Sequence, residues 1–324
     1  MVGAVAWRLS TGERINTDFF GPYIRELLGS SEQQVDIRIG QIQAGWDVQA
    51  GGKLLVQASE TKIYGRNGKL LGIIPDFSLE IAAKSFFYGV MGPEKVVFKQ
   101  PKLFLYRYAD GSIDLGEVPA SASNQEKGVS GVIGKFIRQL LAPPDYRNPT
   151  GFLRYVQAIE AEVAIFDENT QEWWNIPKAD IIIERFADGV QGHLAAEMQY
   201  HSQKSLFDLT FTYRKKNQQI EIVGQIKEMP VQFLGSFEKK IDFFQQTSLL
   251  VSGWIKLSLN LQGKAEKGVF NIALSPGTIK IPSDPTQQEI LVEYGSVVGE
   301  LMDQGNKLII SSFQLASTEG MVEG

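Results

Sequence analysis

The sequence of 324 residues predicts a mainly β protein built from antiparallel strands, with about three short amphipathic helices. Three observations support this fold class. Apolar and polar residues alternate with a period of two in many segments, which is typical of half-buried strands. Turn-forming Gly, Asn and Pro separate these segments. Helical periodicity occurs in only three places.

Residues 1–9 begin with an apolar run, Met1 to Trp7, which ends at Arg8. Seven helical residues rise only about 10 Å, a third of a bilayer. No charged segment precedes the run, as a signal peptide would require. We interpret residues 1–9 as the tail of a truncated transmembrane anchor, with Trp7 at the membrane interface and Arg8 among the headgroups. A buried N-terminal strand of a soluble protein explains the run equally well.

Residues 10–32 are predicted to form a membrane-proximal helix, because their apolar residues recur with helical spacing before Gly29. Residues 33–116 form a first β block. In this block Ile37 and Ile39 alternate with polar residues, Ile74-Pro75 predicts a corner, and residues 86–93 predict an apolar hinge. The block continues with strands at residues 96–98 and 103–108.

Residues 117–150 predict a loop followed by an amphipathic helix over residues 132–141, which ends before two prolines. This helix is expected to pack on the protein's own sheet, the alternative being a membrane surface. Residues 151–316 predict a second β block that includes a third helix at residues 233–246. Residues 317–324 predict a loose tail.

The second β block contains the clearest alternation. Apolar residues occupy every second position of three segments, while polar residues such as Asp208, Thr210 and Lys256 lie between them. An antiparallel sheet with one apolar face has to bury that face. Few residues remain to cover it, so the pattern leaves two options: a sandwich of two sheets, which it favours, or a trough lined for an apolar ligand. The apolar residues are Phe207, Leu209, Phe211, Ile255, Leu257, Leu259, Leu261, Ile290 and Val292.

Composition excludes several classes of function. The net charge of −5 opposes nucleic-acid binding. The absence of cysteine excludes disulfides and thiolate chemistry, and the spacing of the two histidines fits no common metal site. No phosphate loop, dinucleotide fingerprint or nucleophile elbow occurs. We therefore expect no enzyme, no metal and no cofactor. Trp173-Trp174 favours a strand-end core pair over a carbohydrate platform or an interface anchor.

A weak internal repeat relates the segments that follow Ile74-Pro75 and Ile176-Pro177, about a hundred residues apart. Similarity at a fixed period is typical of elongated sheets built from repeats.

The order of these features resembles the AsmA-like family, and within it the YhdP branch. The resemblance rests on patterned positions spread over most of the chain. They are Leu9-Ser10-Thr11-Gly12, Phe20-Gly21-Pro22-Tyr23-Ile24, residues 35–39 leading to Trp46, residues 54–81, Tyr88-Gly89-Val90-Met91-Gly92-Pro93, residues 102–107, Asp110-Gly111, and residues 251–277.

The resemblance implies a non-enzymatic protein that is anchored in the inner membrane of a double-membraned bacterium and extends into the periplasm. It implies an elongated, twisted, taco-like sheet curled around an apolar groove that carries phospholipid to the outer membrane. The expected partners are phospholipid, the inner membrane and envelope proteins, without nucleic acid. Members of this branch are usually much longer than this chain. The alternative is a closed β-sandwich that acts as a scaffold or interaction domain. Under the groove hypothesis, the alternating apolar residues of the second block, together with Ile37 and Ile39, line the groove.

Overall fold

The computed structural model describes residues 15–16, 20–21, 24–25, 35–47, 53–65, 67–109, 113–115, 139–235, 247–261, 265–280, 289–303, 306–317 and 320–323. These residues form one mixed sheet with short helices, which confirms the mainly β prediction. Short 3-10 helices are Ala83–Tyr88 and Pro149–Phe152, a short α-helix, α1, is Val231–Gly235, and residues 24–25 and 139–141 are also helical. The strands are β1 (Ile15–Asn16), β2 (Asp36–Arg38), β3 (Gln41–Asp47), β4 (Lys53–Tyr64), β5 (Leu70–Ile81), β6 (Pro93–Lys99), β7 (Lys102–Arg107), β8 (Ile113–Leu115), β9 (Tyr155–Asp167), β10 (Glu172–Phe186), β11 (Gly189–Tyr200), β12 (Gln203–Arg214), β13 (Gln219–Pro230), β14 (Leu250–Leu259), β15 (Ala265–Leu274), β16 (Gly277–Lys280), β17 (Glu289–Met302), β18 (Lys307–Ser317) and β19 (Gly320–Glu323).

The chain divides into two compact units. Unit 1 comprises Met1–Glu168 and Lys178–Val190, and unit 2 comprises Asn169–Pro177 and Gln191–Gly324. The long strand β10 contributes residues to both. The boundaries of the units lie before β10, within β10 and within β11, whereas the sequence places the border between the two β blocks at residues 117–150.

Unit 1 departs from a purely antiparallel sheet at β9. Strand β4 pairs antiparallel with β3 and β5, and β5 pairs antiparallel with β6. Strand β9 instead runs parallel to both β6 and β7. The constant register offset, from Lys95↔Tyr155 to Arg107↔Asp167, shows that β6 and β7 are two halves of one strand interrupted at Gln100 and Pro101.

A row of irregular residues crosses the strands of unit 1 in register. Glu60, Gln100 and Glu160 have positive φ angles of 54°, 50° and 50°. Glu60 stands opposite both Gly40 and Pro75 in the continuous register of the flanking pairs. Proline is tolerated there because its missing N–H is not needed where the ladder is interrupted. The predicted corner at Ile74-Pro75 is therefore wrong, because β5 continues through it.

The same row changes which alternate residues are buried. In β4 the buried positions are Val56 and Ala58 before Glu60, but Thr61 and Ile63 after it. The irregular residue shifts the alternation by one position, so each side chain after Glu60 points to the face opposite the one that strict alternation would give. The irregular residues occupy matching register positions in neighbouring strands. The apolar residues before and after the row therefore lie on one face and form a single core.

That core fills one face of unit 1. Phe77 and Leu79 of β5 lie at its centre, and Phe20, Ile24 and Leu140 lie within the same buried cluster. Arg25 fixes this arrangement further, since its Nε donates a 3.3 Å hydrogen bond to the carbonyl of Ile37.

A buried ion pair joins β7 to β9. Arg107 donates to the carboxylate of Asp167, which is its register partner, and both side chains are almost completely buried. Five residues earlier on the same strands, Lys102 and Glu162 form an exposed ion pair of 2.6 Å. A charge buried in the interior requires its partner, since an unpaired one is expensive to desolvate.

Other expectations can be compared with the described residues. Residues 86–88 of the expected apolar hinge end the 3-10 helix Ala83–Tyr88, and Gly89 caps it with a left-handed φ of 71°. The expected loose tail contains a strand, β19, paired with β18, so that expectation is wrong. The third helix begins at Val231, and residues 236–246 lie outside the described part. Only residues 139–141 of the second helix are described, and they are helical.

Candidate functional site

The strands of unit 2 place apolar residues opposite one another. Between β12 and β13 the register pairs Phe207 with Ile226 and Phe211 with Ile222. Leu209 faces Gly224 in the same ladder. Cross-strand partners project from the same face of a sheet, so these residues share one face.

The apolar face continues across four further strands. Ile222 pairs with Leu257 of β14, and Ile255 pairs with Phe270 of β15. Ile272 then pairs with Val297 of β17, which pairs with Phe313 of β18. We call this set the apolar face of unit 2. Its side chains are Phe207, Leu209, Phe211, Ile220, Ile222, Ile226, Ile255, Leu257, Leu259, Phe270, Ile272, Leu274, Val297, Phe313 and Leu315.

These side chains are half-buried, whereas the core residues of unit 1 are buried. On the other face, Asp208, Thr210, Val223 and Lys256 are exposed, whereas Ser258 is buried. That second face carries pairs of polar groups, such as His193 Nε2 and Asp208 Oδ1 at 2.9 Å. Unit 2 is therefore a sheet with one polar face and one apolar face that is only partly removed from water.

Glycines lie between the large side chains of the apolar face. A Cβ placed on Gly268 would be 2.5 Å from Cδ2 of Leu257, and one placed on Gly299 would be 2.7 Å from the ring of Phe270. Both contacts are too short for real atoms. Leu257 and Phe270 therefore lie across the glycine backbone of the neighbouring strand, so their flat or branched surfaces, rather than their ends, form the face.

One end of the apolar face is closed. The rings of Trp174 and Phe233 meet edge to face at 4.7 Å, and Phe233 lies in α1. Leu249, just before β14, and Val251, at the start of β14, are also buried. Trp174 is thus a core residue, as the sequence favours for the tryptophan pair, while Trp173 is half exposed.

Tyr200 carries a polar group into this closed end. Its ring lies 5.9 Å from that of Phe233, and its hydroxyl donates a 3.1 Å hydrogen bond to Glu172. Burial, and then the hydrogen bond with Glu172, raise the pKa of Tyr200 to about 12. A phenol that keeps its proton more tightly in the folded state stabilises that state below about pH 10 and loses this contribution as the pH rises towards 12.

We expect Glu172→Gln to lower the pKa of Tyr200 while leaving it above that of an exposed tyrosine, because burial is the larger cause and remains. Ultraviolet difference titration of the phenolate measures this, with Tyr200→Phe to assign the late step among the ten tyrosines. A late step that persists unchanged in Tyr200→Phe would contradict the assignment.

The predicted groove residues of the second β block fall into three groups. Phe207, Leu209, Phe211, Ile255, Leu257 and Leu259 lie together on the apolar face. A bulge between Val292 and Tyr294 keeps Ile290 and Val292 on this side, where Ile290 is half-buried and Val292 is buried. Leu261 is exposed beyond the end of β14.

Ile37 and Ile39 lie in unit 1 instead. Ile37 is 2% exposed within the core, and Ile39 packs against it. Their side chains contact protein, so the site is built from unit 2. Trp7 and Arg8 lie outside the described residues.

Sequence reasoning missed more than half of the apolar face. Ile220 and Ile222 of β13 alternate as clearly as the residues of β12, and so do Phe270, Ile272 and Leu274 of β15. These signals were present in the sequence. Val297 lies between Gly295 and Gly299, which indicate turns in the sequence.

Two other kinds of site are absent from the described residues. Among them, no group of three His, Asp or Glu side chains could hold a metal ion. None of the described helices has the length and apolar character needed to cross a membrane. What this arrangement can do is bind apolar molecules along a surface. No protein family, curated protein or solved structure matches the chain.

Proposed function

We propose that the chain is a non-enzymatic lipid-binding segment that carries phospholipid acyl chains along the apolar face of unit 2. The observation that carries this proposal is the half-burial of aligned apolar side chains on six strands, β12, β13, β14, β15, β17 and β18. A surface of this kind gains free energy from any apolar layer that covers it.

Transfer of a CH₂ group from water to an apolar lining gains about 0.8 kcal/mol. A sixteen-carbon chain therefore gains roughly 12 kcal/mol, which is the barrier to its movement through water. A lining that is as apolar as the bilayer removes this barrier without holding the lipid tightly. Movement along the strands then needs no polar site, and the polar headgroup remains in water.

The wider setting is part of the same proposal. The resemblance to the AsmA-like family supports a periplasmic location, an anchor in the inner membrane and transfer of phospholipid towards the outer membrane. The apolar run at residues 1–7 supports the anchor. Both supports come from the sequence, and the apolar face supports lipid binding itself.

Photo-crosslinking tests the proposal at the level of single side chains. A photoreactive residue at Leu209 or Leu257 should capture phospholipid in cells, because both lie on the apolar face. The matched positions Thr210 and Lys256 are their chain neighbours on the exposed face and should capture none. Lipid captured only at Thr210 and Lys256 would overturn the proposal. Protein captured at Leu209 and Leu257, without lipid, would favour a scaffold that covers this face.

A further inference from the structure

An aromatic turn protrudes from unit 1. Phe86, Phe87 and Tyr88 end the 3-10 helix Ala83–Tyr88, and Phe87 is 90% exposed. Phe86 and Tyr88 are about half exposed. Scattered exposed apolar residues are ordinary, but three consecutive exposed aromatic residues form a patch, and such patches mark interaction surfaces.

The backbone of this turn is fixed. Ala82 N–H donates to Gly92 C=O at 2.9 Å, and Val90 N–H donates to Ser85 C=O at 3.2 Å. A Cβ on Gly92 would be 2.2 Å from the ring of Phe152, so the turn lies tightly on that ring. The packed backbone of the turn therefore keeps the side chains of Phe86 and Phe87 exposed to solvent.

Further aromatic side chains lie at the same end of the strands, which we call the Trp46 edge of unit 1. The register runs from Trp46 through Leu54 and Ile81 to Pro93, so the turn and Trp46 lie at one end of these strands. Trp46 is 41% exposed. Tyr88 contacts Tyr146 at a ring separation of 5.6 Å. Tryptophan and tyrosine are the residues that prefer the membrane–water interface.

The charges at this edge include an excess of cations. Lys53 and Lys95 contact Glu80 at 3.1 and 3.2 Å, and Arg154 contacts Glu94 at 3.9 Å. Lys84 lies over the ring of Tyr146 at 5.0 Å. Asp47 is the register partner of Lys53 on β3. A cationic edge beside aromatic residues suits an anionic membrane surface.

The first described strand begins on the same side. Strand β1 pairs Ile15 with Ala44 and Asn16 with Gln43, so Ile15 is the residue of β1 nearer to the level of Trp46. The apolar run ends at Trp7, eight residues before Ile15. Whatever its conformation, that connection spans at most about 28 Å.

We propose that the edge formed by Phe86, Phe87, Tyr88 and Trp46 docks on an anionic lipid bilayer, with Phe86 and Phe87 inserted at the interface. The aromatic turn supplies the apolar contact, and the neighbouring lysines supply attraction to acidic headgroups. This inference does not depend on lipid binding by the apolar face of unit 2. It assigns the Trp46 edge of unit 1 as the end that faces a membrane.

The absence of cysteine allows a single reporter to be placed. We suggest the full chain with Phe87→Cys, labelled with an environment-sensitive fluorophore, and vesicles of phosphatidylethanolamine with phosphatidylglycerol. The emission of this label should shift to the blue and increase when vesicles are added. A label on Val223→Cys, an exposed position of unit 2 on the polar face, should not respond.

A second measurement uses the affinity for the same vesicles. The double variant Phe86→Ser with Phe87→Ser should weaken co-sedimentation by about tenfold or more, because two exposed apolar side chains lose their burial. Val223→Ser should leave it unchanged. Equal thermal midpoints would show that the variants fold alike.

Two outcomes would overturn the inference. In the first, the full chain sediments with vesicles while the label at residue 87 does not respond and the double serine variant binds equally well. In the second, the label shifts at high protein concentration without vesicles, which would make the turn a contact between protein molecules.

Discussion

Arg107→Met is expected to destabilise unit 1 by about 3–5 kcal/mol, the cost of leaving a buried charge without its partner. Asp167 is fully buried, and Arg107 is the cation placed against it across β7 and β9. Loss of the guanidinium leaves a carboxylate that water cannot reach. Urea unfolding followed by circular dichroism measures the change in the free energy of unfolding.

The same two strands provide the control. Lys102→Met removes an ion pair of the same cross-strand type, but Lys102 and Glu162 are about half exposed. We expect a loss below about 1 kcal/mol there, because water screens exposed pairs and solvates the remaining charge. Replacing both Arg107 and Asp167 by apolar residues should recover much of the loss. Equal losses at Arg107 and Lys102 would contradict the distinction between the buried and exposed pairs.

Ile222→Glu is expected to abolish most lipid binding by the chain, reducing bound lipid about tenfold or more. Ile222 lies on the apolar face between Phe211 and Leu257, its partners on both neighbouring strands. A carboxylate there would have to be covered by acyl chains without an opposite charge. The measurement is the amount of phospholipid that co-purifies with the full chain, per mole of protein, by mass spectrometry.

Val223→Glu is the matched control. Val223 follows Ile222 in β13, is also β-branched, and lies on the exposed face. The same charge is therefore introduced one residue away, where it remains in water. We expect the lipid content of Val223→Glu to equal that of the unaltered chain. If both variants lose lipid equally, the effect is not specific to the apolar face.

The strands of unit 2 were predictable because their alternation is strict. Phe207 to Tyr213 and Ile255 to Leu259 both show it, and both segments are strands with their apolar residues on one face. The ends of strands were less predictable. Gly295 and Gly299 indicate turns in isolation, yet β17 runs through them because Leu274 and Phe270 of β15 cover their backbone.

Unit 1 shows where alternation misleads. Val56 and Ala58 are out of phase with Thr61 and Ile63, because Glu60 shifts the pattern by one residue. That shift depends on the neighbouring strands, whose alternation also shifts by one residue at the matching register position. The parallel pairing of β9 with β6 and β7 was also not predictable, since a strand's own pattern says nothing about its partner.

Burial on the candidate site could not be predicted for a related reason. Ile37 and Leu257 occur in equally regular alternating segments, and both were expected to line a groove. Ile37 is covered by a core that includes Phe20 and Ile24, two helical residues outside its sheet. Leu257 lies in a face that stays half-buried. The difference comes from what packs on the sheet, which the period of a strand does not encode.

Paramagnetic quenching along β14 tests the central claim most directly. Single-cysteine variants at residues 254, 255, 256, 257 and 259 would each carry a fluorophore, and the full chain would be loaded with phospholipid bearing a doxyl group on one acyl chain. We predict strong quenching at Ile255, Leu257 and Leu259 and weak quenching at Trp254 and Lys256, because these two sets lie on opposite faces. Equal quenching at all five positions, or stronger quenching at Trp254 and Lys256, would contradict a lipid-carrying apolar face.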